Sequence, residues 1–162
     1  MLAMLLTSLT SCQYTRWNKV VFNSRKDLVK AFNSEERDEL AKLFAPSVAS
    51  APDFEYNAAM LLSLLPPKVV DLEDGLNNVS AYISPLEEAG KTIEYAKTSF
   101  KVAANGKHYD IAFIVCYKNP IDADEIGILS LYITDYYAGQ GGYRGGGWVE
   151  WDWPRGINFD LQ

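Results

Sequence analysis

The sequence predicts an α+β fold, with helices first and an antiparallel sheet after them, and three observations carry the prediction. Apolar residues recur at helical spacing between Leu28 and Leu65, the segment from Thr92 to Tyr136 alternates with the two-residue period of strands, and Asn105-Gly106 separates two of those alternating runs. Asn-Gly readily adopts the positive φ that both central residues of a type I′ turn require, so it marks a hairpin. A chain of 162 residues with 48% hydrophobic content can bury one core but hardly two, and a single domain over 23–162 is expected.

The elements follow in order. Ser24-Arg25-Lys26-Asp27 reads as a capping box that opens a helix at Leu28-Val29-Lys30-Ala31-Phe32. Ser34-Glu35-Glu36 places acid at the positive end of a second helix, whose stripe is Leu40, Leu43 and Phe44 and which Pro46 stops. A third helix is predicted from Pro52-Asp53 to Pro66-Pro67, well buried through Phe54, Ala58, Leu61, Leu62 and Leu65. Lys68 to Glu73 reads as a first strand, and the turn-rich stretch from Asp74 to Gly90 as a loop. Thr92 to Ala104 is predicted to pair with Lys107 to Lys118, with Tyr109, Ile111, Phe113, Val115 and Tyr117 on one face. Ile126 to Thr134 should be an inner strand, and Phe113 and Leu131 should be buried on neighbouring strands. A glycine-rich surface loop over 138–147 then leads to Trp148, Trp151 and Trp153.

Composition narrows the chemistry. A net charge of −6 with no basic stripe speaks against nucleic acid as a partner. No metal or cofactor is expected: His108 is the lone histidine, and Asp122-Ala123-Asp124-Glu125 lacks the ligand spacing of a calcium loop and reads as a solvated turn. No catalytic residue is assigned. Cys116 lies in an apolar strand, where a buried thiol is the ordinary reading. Cys12 differs, because it ends an uncharged apolar run at Leu9-Thr10-Ser11-Cys12, the pattern of a bacterial lipobox. The run is too short to span a bilayer, which takes about 20 apolar residues. The expectation is a signal peptide over 1–11, then a lipidated cysteine and tether, or the start of a helix, over 12–22. No Lys or Arg precedes the run, so either the start lies upstream of Met1 or the match is a chance one.

The lipobox, Leu40-Ala41-Lys42-Leu43-Phe44-Ala45-Pro46, the buried third helix, the Asn-Gly hairpin, Ile126 to Ile133 and a terminal Trp with Gly156-Ile157 together resemble a family of small bacterial lipoproteins with a domain of unknown function. That family is similar to the nuclear transport factor 2-like (cystatin-like) cone, in which N-terminal helices pack on a curved antiparallel sheet. The resemblance implies a membrane-anchored, extracytoplasmic domain and brings no catalytic residues. It leaves two functional readings. One is a non-enzymatic binding or accessory module that meets a glycan or protein partner through Tyr143, Trp148, Trp151 and Trp153, since flat indoles beside acids suit both partners. The other is a small-molecule enzyme, isomerase- or dehydratase-like, whose cone cavity would be lined by Asp110, Asp135, Tyr109, Tyr117 and Tyr132. Structural packing of the indoles is the rival to the first reading, and a hollow cone is the requirement of the second.

Overall fold

A computed structural model describes residues 2–73, 81–135 and 154–161, excepting the side chains of 2–16 and of Asp160. The chain is α+β: among the described residues, four α-helices precede and cover one face of an open sheet of six strands. The helices are α1 (Leu2–Ser34), α2 (Arg37–Ala41), α3 (Pro46–Ala49) and α4 (Phe54–Leu64). The strands are β1 (Val70–Asp71), β2 (Ala81–Glu88), β3 (Lys91–Ala104), β4 (Lys107–Lys118), β5 (Gly127–Asp135) and β6 (Gly156–Asp160).

Helix α1 is longer than the capping signals predict. Ser24 to Asp27 lies inside it, because no Pro or Gly interrupts the chain before Glu35, whose positive φ of 60° ends the helix. Its core stripe is Val21, Arg25, Leu28 and Phe32, spaced by four, three and four residues and all but excluded from solvent. Residues 12–22, read as a tether or the start of a helix, are helical here, and Val21 is fully buried. Asn33 staples the end of α1 to the start of β1: its amide donates to the Val69 carbonyl, and its oxygen accepts from the Lys68 and Val69 N–H groups at 2.7 and 2.8 Å. Pro46 sits in the first turn of α3, so it starts a helix instead of merely stopping one, as its fixed φ allows. Helix α4 carries the predicted buried side chains Phe54, Ala58, Leu61 and Leu62, with Leu65 just beyond its end.

In the sheet, β3 pairs with β4 through the Asn105-Gly106 turn at φ of 50° and 75°, and β4 pairs with β5, both antiparallel. The loop expected before Gly90 is overturned in part: Ala81–Glu88 forms β2, paired antiparallel with β3, because Tyr82, Ile83 and Ser84 fit a pleated edge and an edge strand tolerates Pro85. Short β1 pairs with the far end of β3, and β6 adds to β5 in parallel. Residues 74–80 of the expected loop and the glycine-rich segment at 138–147 lie outside the described residues.

Two bulges distort the sheet at one end. Glu94 pairs with Lys118 and Tyr95 with Cys116, which leaves Tyr117 over; Ile114 pairs with Ser130 and Val115 with Ile128, which leaves Leu129 over. An extra residue bends its strand and sharpens the twist, so these bulges curve the sheet locally. Beside the second bulge, the backbone of Leu43–Ala45 bridges to Ile128 by hydrogen bonds of 2.9 and 3.0 Å. Gly127 makes that approach possible: a Cβ there would lie 2.5 Å from the Ala45 nitrogen.

Large apolar side chains pack across the middle of the helix-facing side of the sheet. Phe100, Tyr109, Ile111, Phe113, Val115, Leu131 and Ile133 meet Phe32, Leu40, Phe44, Phe54, Leu61 and Leu65 in one core. Phe113 and Leu131 are register partners and both fully buried, as the alternation requires.

Candidate functional site

The side of the sheet turned away from the helices has a different chemistry. Alternation puts Tyr95, Lys97, Ala112, Ile114, Cys116, Ser130 and Tyr132 on it. A cleft of about 450 Å³ opens there, within the 300–1,000 Å³ usual for small-molecule sites. Ile114 and Leu129 form its apolar floor, with Leu86 and Tyr95 beside them. Leu129 is the bulge residue of β5, and bulges commonly re-aim a side chain in this way.

The polar groups of the cleft converge on Arg155. Its Nη2 donates to Glu125 Oε2 at 2.5 Å and to Ser47 Oγ at 3.0 Å, linking the β6 approach to the turn at Ala123–Glu125 and to α3. Pro154 is held in place because its carbonyl accepts from Ser130 Oγ at 2.6 Å and from Asn158 Nδ2 at 3.0 Å. Burial would raise the Glu125 carboxyl, but hydrogen bonds from Arg155 and Ser47 outweigh it and hold the group below the usual carboxylate range. Burial pushes the Tyr95 phenol up, with the nearby Cys116 and Glu125 adding to the shift, so Tyr95 stays protonated at neutral pH. Burial likewise lifts the Cys116 thiol to about 11, which makes it a poor nucleophile.

The cleft therefore offers apolar walls, a phenol and an already neutralised cation. Ser130 Oγ is committed to a backbone carbonyl, and His108 is exposed beside the Asn105-Gly106 turn at the other end of β4. The arrangement can hold an amphipathic group; among the described residues that line it, no nucleophile is paired with a base.

The residues proposed to line a catalytic cone are not brought together. Tyr109 and Asp135 are register partners on the helix-facing side, whereas Asp110 and Tyr132 lie on the other, because neighbouring positions on a strand point oppositely. Burial raises the Asp110 carboxyl, against the pull of Lys101 across the ladder. Asp122 and Asp124 form an exposed turn, where the Asp122 side chain accepts from the Asp124 N–H, while Glu125 departs from the solvated-turn reading by joining Arg155. Among the described residues no three His, Cys, Asp or Glu side chains gather as metal ligands. Tyr143, Trp148, Trp151 and Trp153 lie outside the described residues, as does the side chain of Cys12. Sequence reading missed Glu125, Arg155 and Tyr95 as a group, since they come from three distant segments and share no spacing.

Residues 27–136 match the family described as Domain of unknown function (DUF5104). The chain belongs to the DUF5104 family. No curated protein and no solved structure matches it. The matched span of DUF5104 runs from the last two turns of α1 to the end of β5, so it contains α2 to α4 and strands β1 to β5. Arg155 and β6 lie beyond it. Among the described residues no helix is long and apolar enough to cross a membrane.

Proposed function

We propose that this DUF5104 chain is a non-enzymatic binding or accessory module of nuclear transport factor 2-like build, held on the extracytoplasmic face of a bacterial membrane by lipid on Cys12. The observation that carries the non-enzymatic part is the packing of large apolar side chains into one core across the middle of the helix-facing side, where a catalytic cone would need to be hollow; a cleft of about 270 Å³ on that side lies at its margin, between Val20 and Ser24 of α1 and Val115 and Ile128 of the sheet. The open cleft is on the opposite face, and Arg155, the cation among its described lining residues, is spent on Glu125. Helices that precede a sheet antiparallel in all but its β5–β6 pair and curved by bulges support the cone-like reading. The Leu9-Thr10-Ser11-Cys12 pattern supports the anchor. The partner surface joins the cleft to the tryptophan segment: Trp153 directly precedes Pro154, and Arg155 follows. Tryptophan and arginine are the residue types that most often dominate binding energy, and Arg155 is half exposed beside the cleft.

Two experiments test this. Mass spectrometry of the native chain taken from bacterial membranes should find a diacylglycerol thioether on Cys12, and Cys12→Ser should release the chain to the soluble fraction; an unmodified Cys12 rejects the anchor. Trp148→Ala, Trp151→Ala and Trp153→Ala should leave the melting temperature nearly unchanged and abolish capture of a glycan or protein in an array and pull-down screen. If each variant instead loses roughly 3–5 kcal/mol of stability and the wild type captures nothing, the indoles are core residues.

A further inference from the structure

Resting on the lipid-anchor reading, we infer that the sheet end formed by the β2–β3 and β4–β5 turns lies directly on the bilayer, with Ile121 and Ile126 at headgroup depth and no flexible tether between anchor and domain. The leash between anchor and domain is short. Cys12 and Trp17 are five positions apart on α1, about 8 Å at the helical rise. Trp17 already touches the sheet, its indole N–H donating to Glu94 Oε2 at 3.4 Å, and Val21 is fully buried. Even if the chain from Cys12 to Val21 were drawn out fully, it would span about 30 Å at most.

The course of α1 fixes which end faces the lipid. Helix α1 runs along β3, meeting Glu94 through Trp17, Asp71 opposite Val102 through Arg25, and Val69 through Asn33. Its anchor-bearing end is therefore the end at which β3 begins and β4 finishes. The two turns there adjoin, with Lys91 Nζ donating to the Pro120 carbonyl at 3.3 Å. Ile121 and Ile126 are 44% and 42% exposed on that end, in a segment where burial would otherwise be expected for isoleucine. The Asn105-Gly106 turn is at the other end of β4, about 36 Å away along a strand of that length.

Apolar exposure alone would not choose between the ends, since Val70 and Leu72 are exposed near the far one. The short leash makes the choice. Glu87, Glu88, Asp122 and Asp124 outnumber Lys91 and Lys118 at the lipid-proximal end, so attraction to anionic lipid is not the force that holds it there. Leu86 and Glu125 bring the edge of the cleft to the same end, which presents its ligand site at the headgroup layer.

The test uses the full chain, lipidated in bacteria and reconstituted into phosphatidylethanolamine–phosphatidylglycerol vesicles. Ile121→Cys, Ile126→Cys and, as the distal reference, Lys107→Cys each receive an environment-sensitive fluorophore; Cys116 is buried with its thiol raised to about 11 and does not compete. Quenching by a headgroup-level doxyl lipid should be severalfold stronger at 121 and 126 than at 107, and unchanged by high salt. Equal quenching at all three positions, with the chain still bound to vesicles, overturns the orientation and leaves the anchor standing. A chain that stays in the supernatant with a bare Cys12 overturns both. Ile121 and Ile126 are separate turn positions, so either label alone decides the outcome if the other variant misfolds.

Discussion

Arg25 stands in the middle of the apolar stripe of α1, and a guanidinium so placed must find a counter-charge. It forks onto Asp71, with Nε and Nη2 donating at 2.6 and 2.7 Å, and lies over the Phe100 ring at 5.2 Å from its centroid. Its Nη1 is buried without a hydrogen-bond partner among the described residues, so the pair is already short of one acceptor. Breaking such a pair from one side leaves a buried charge uncompensated, while replacing both ends by apolar groups does not. Asp71→Ala should therefore cost about 3–5 kcal/mol in urea unfolding, and Arg25→Met combined with Asp71→Leu far less. A single variant as stable as the double one would show that the pair does not clamp β1 to α1.

Elements are held by contacts of two kinds, and the hairpin shows the local kind. Phe113 and Leu131 are register partners with fully buried side chains. Each change to Ala should cost roughly 2–5 kcal/mol, and the double variant should be non-additive because the two share a cavity; additive losses would separate the strands. Gly127→Ala should also be severe, as the new methyl would meet the Ala45 nitrogen at 2.5 Å and the residue has a φ of +134°. Thermal melts of these variants check both expectations. Strands β3, β4 and β5 were legible because Asn105-Gly106 and the alternation of Tyr109 to Tyr117 are local signals. Strand β2 was not, since Pro85, Glu87 and Glu88 resemble a loop until a partner strand is known. Parallel β6 and the cleft depend on residues brought together from Ser47, Leu86, Glu125 and Arg155, and no spacing in the chain announces them.

On the scale of the whole molecule, carboxylates tie the layers together. Burial would raise Glu94, but hydrogen bonds from Lys118 and Trp17 outweigh it, and Glu125 is held down in the same way by Arg155 and Ser47. Both groups fall below their ordinary value of 4.5, so they bind fewer protons folded than unfolded. The stability they add is present above that value and is lost as pH falls through the lower folded values. Asp110 acts in the opposite sense, since burial raises it. Glu94→Gln and Glu125→Gln should be destabilising at neutral pH and should flatten the decline in melting temperature below about pH 4.5. An acid limb as steep as that of the wild type would assign it to other groups.

The interrupted margins of the sheet bear on how many copies can share a surface. One margin is divided between two-residue β1 and β2 with its Pro85, Glu87 and Glu88; the other is closed at Ile128 by Leu43–Ala45 and then by the five residues of β6. A proline withholds a donor and paired acids repel a like neighbour, so neither margin offers a long template on which a second chain could add a strand. Copies confined to two dimensions could then collide often without fusing their sheets.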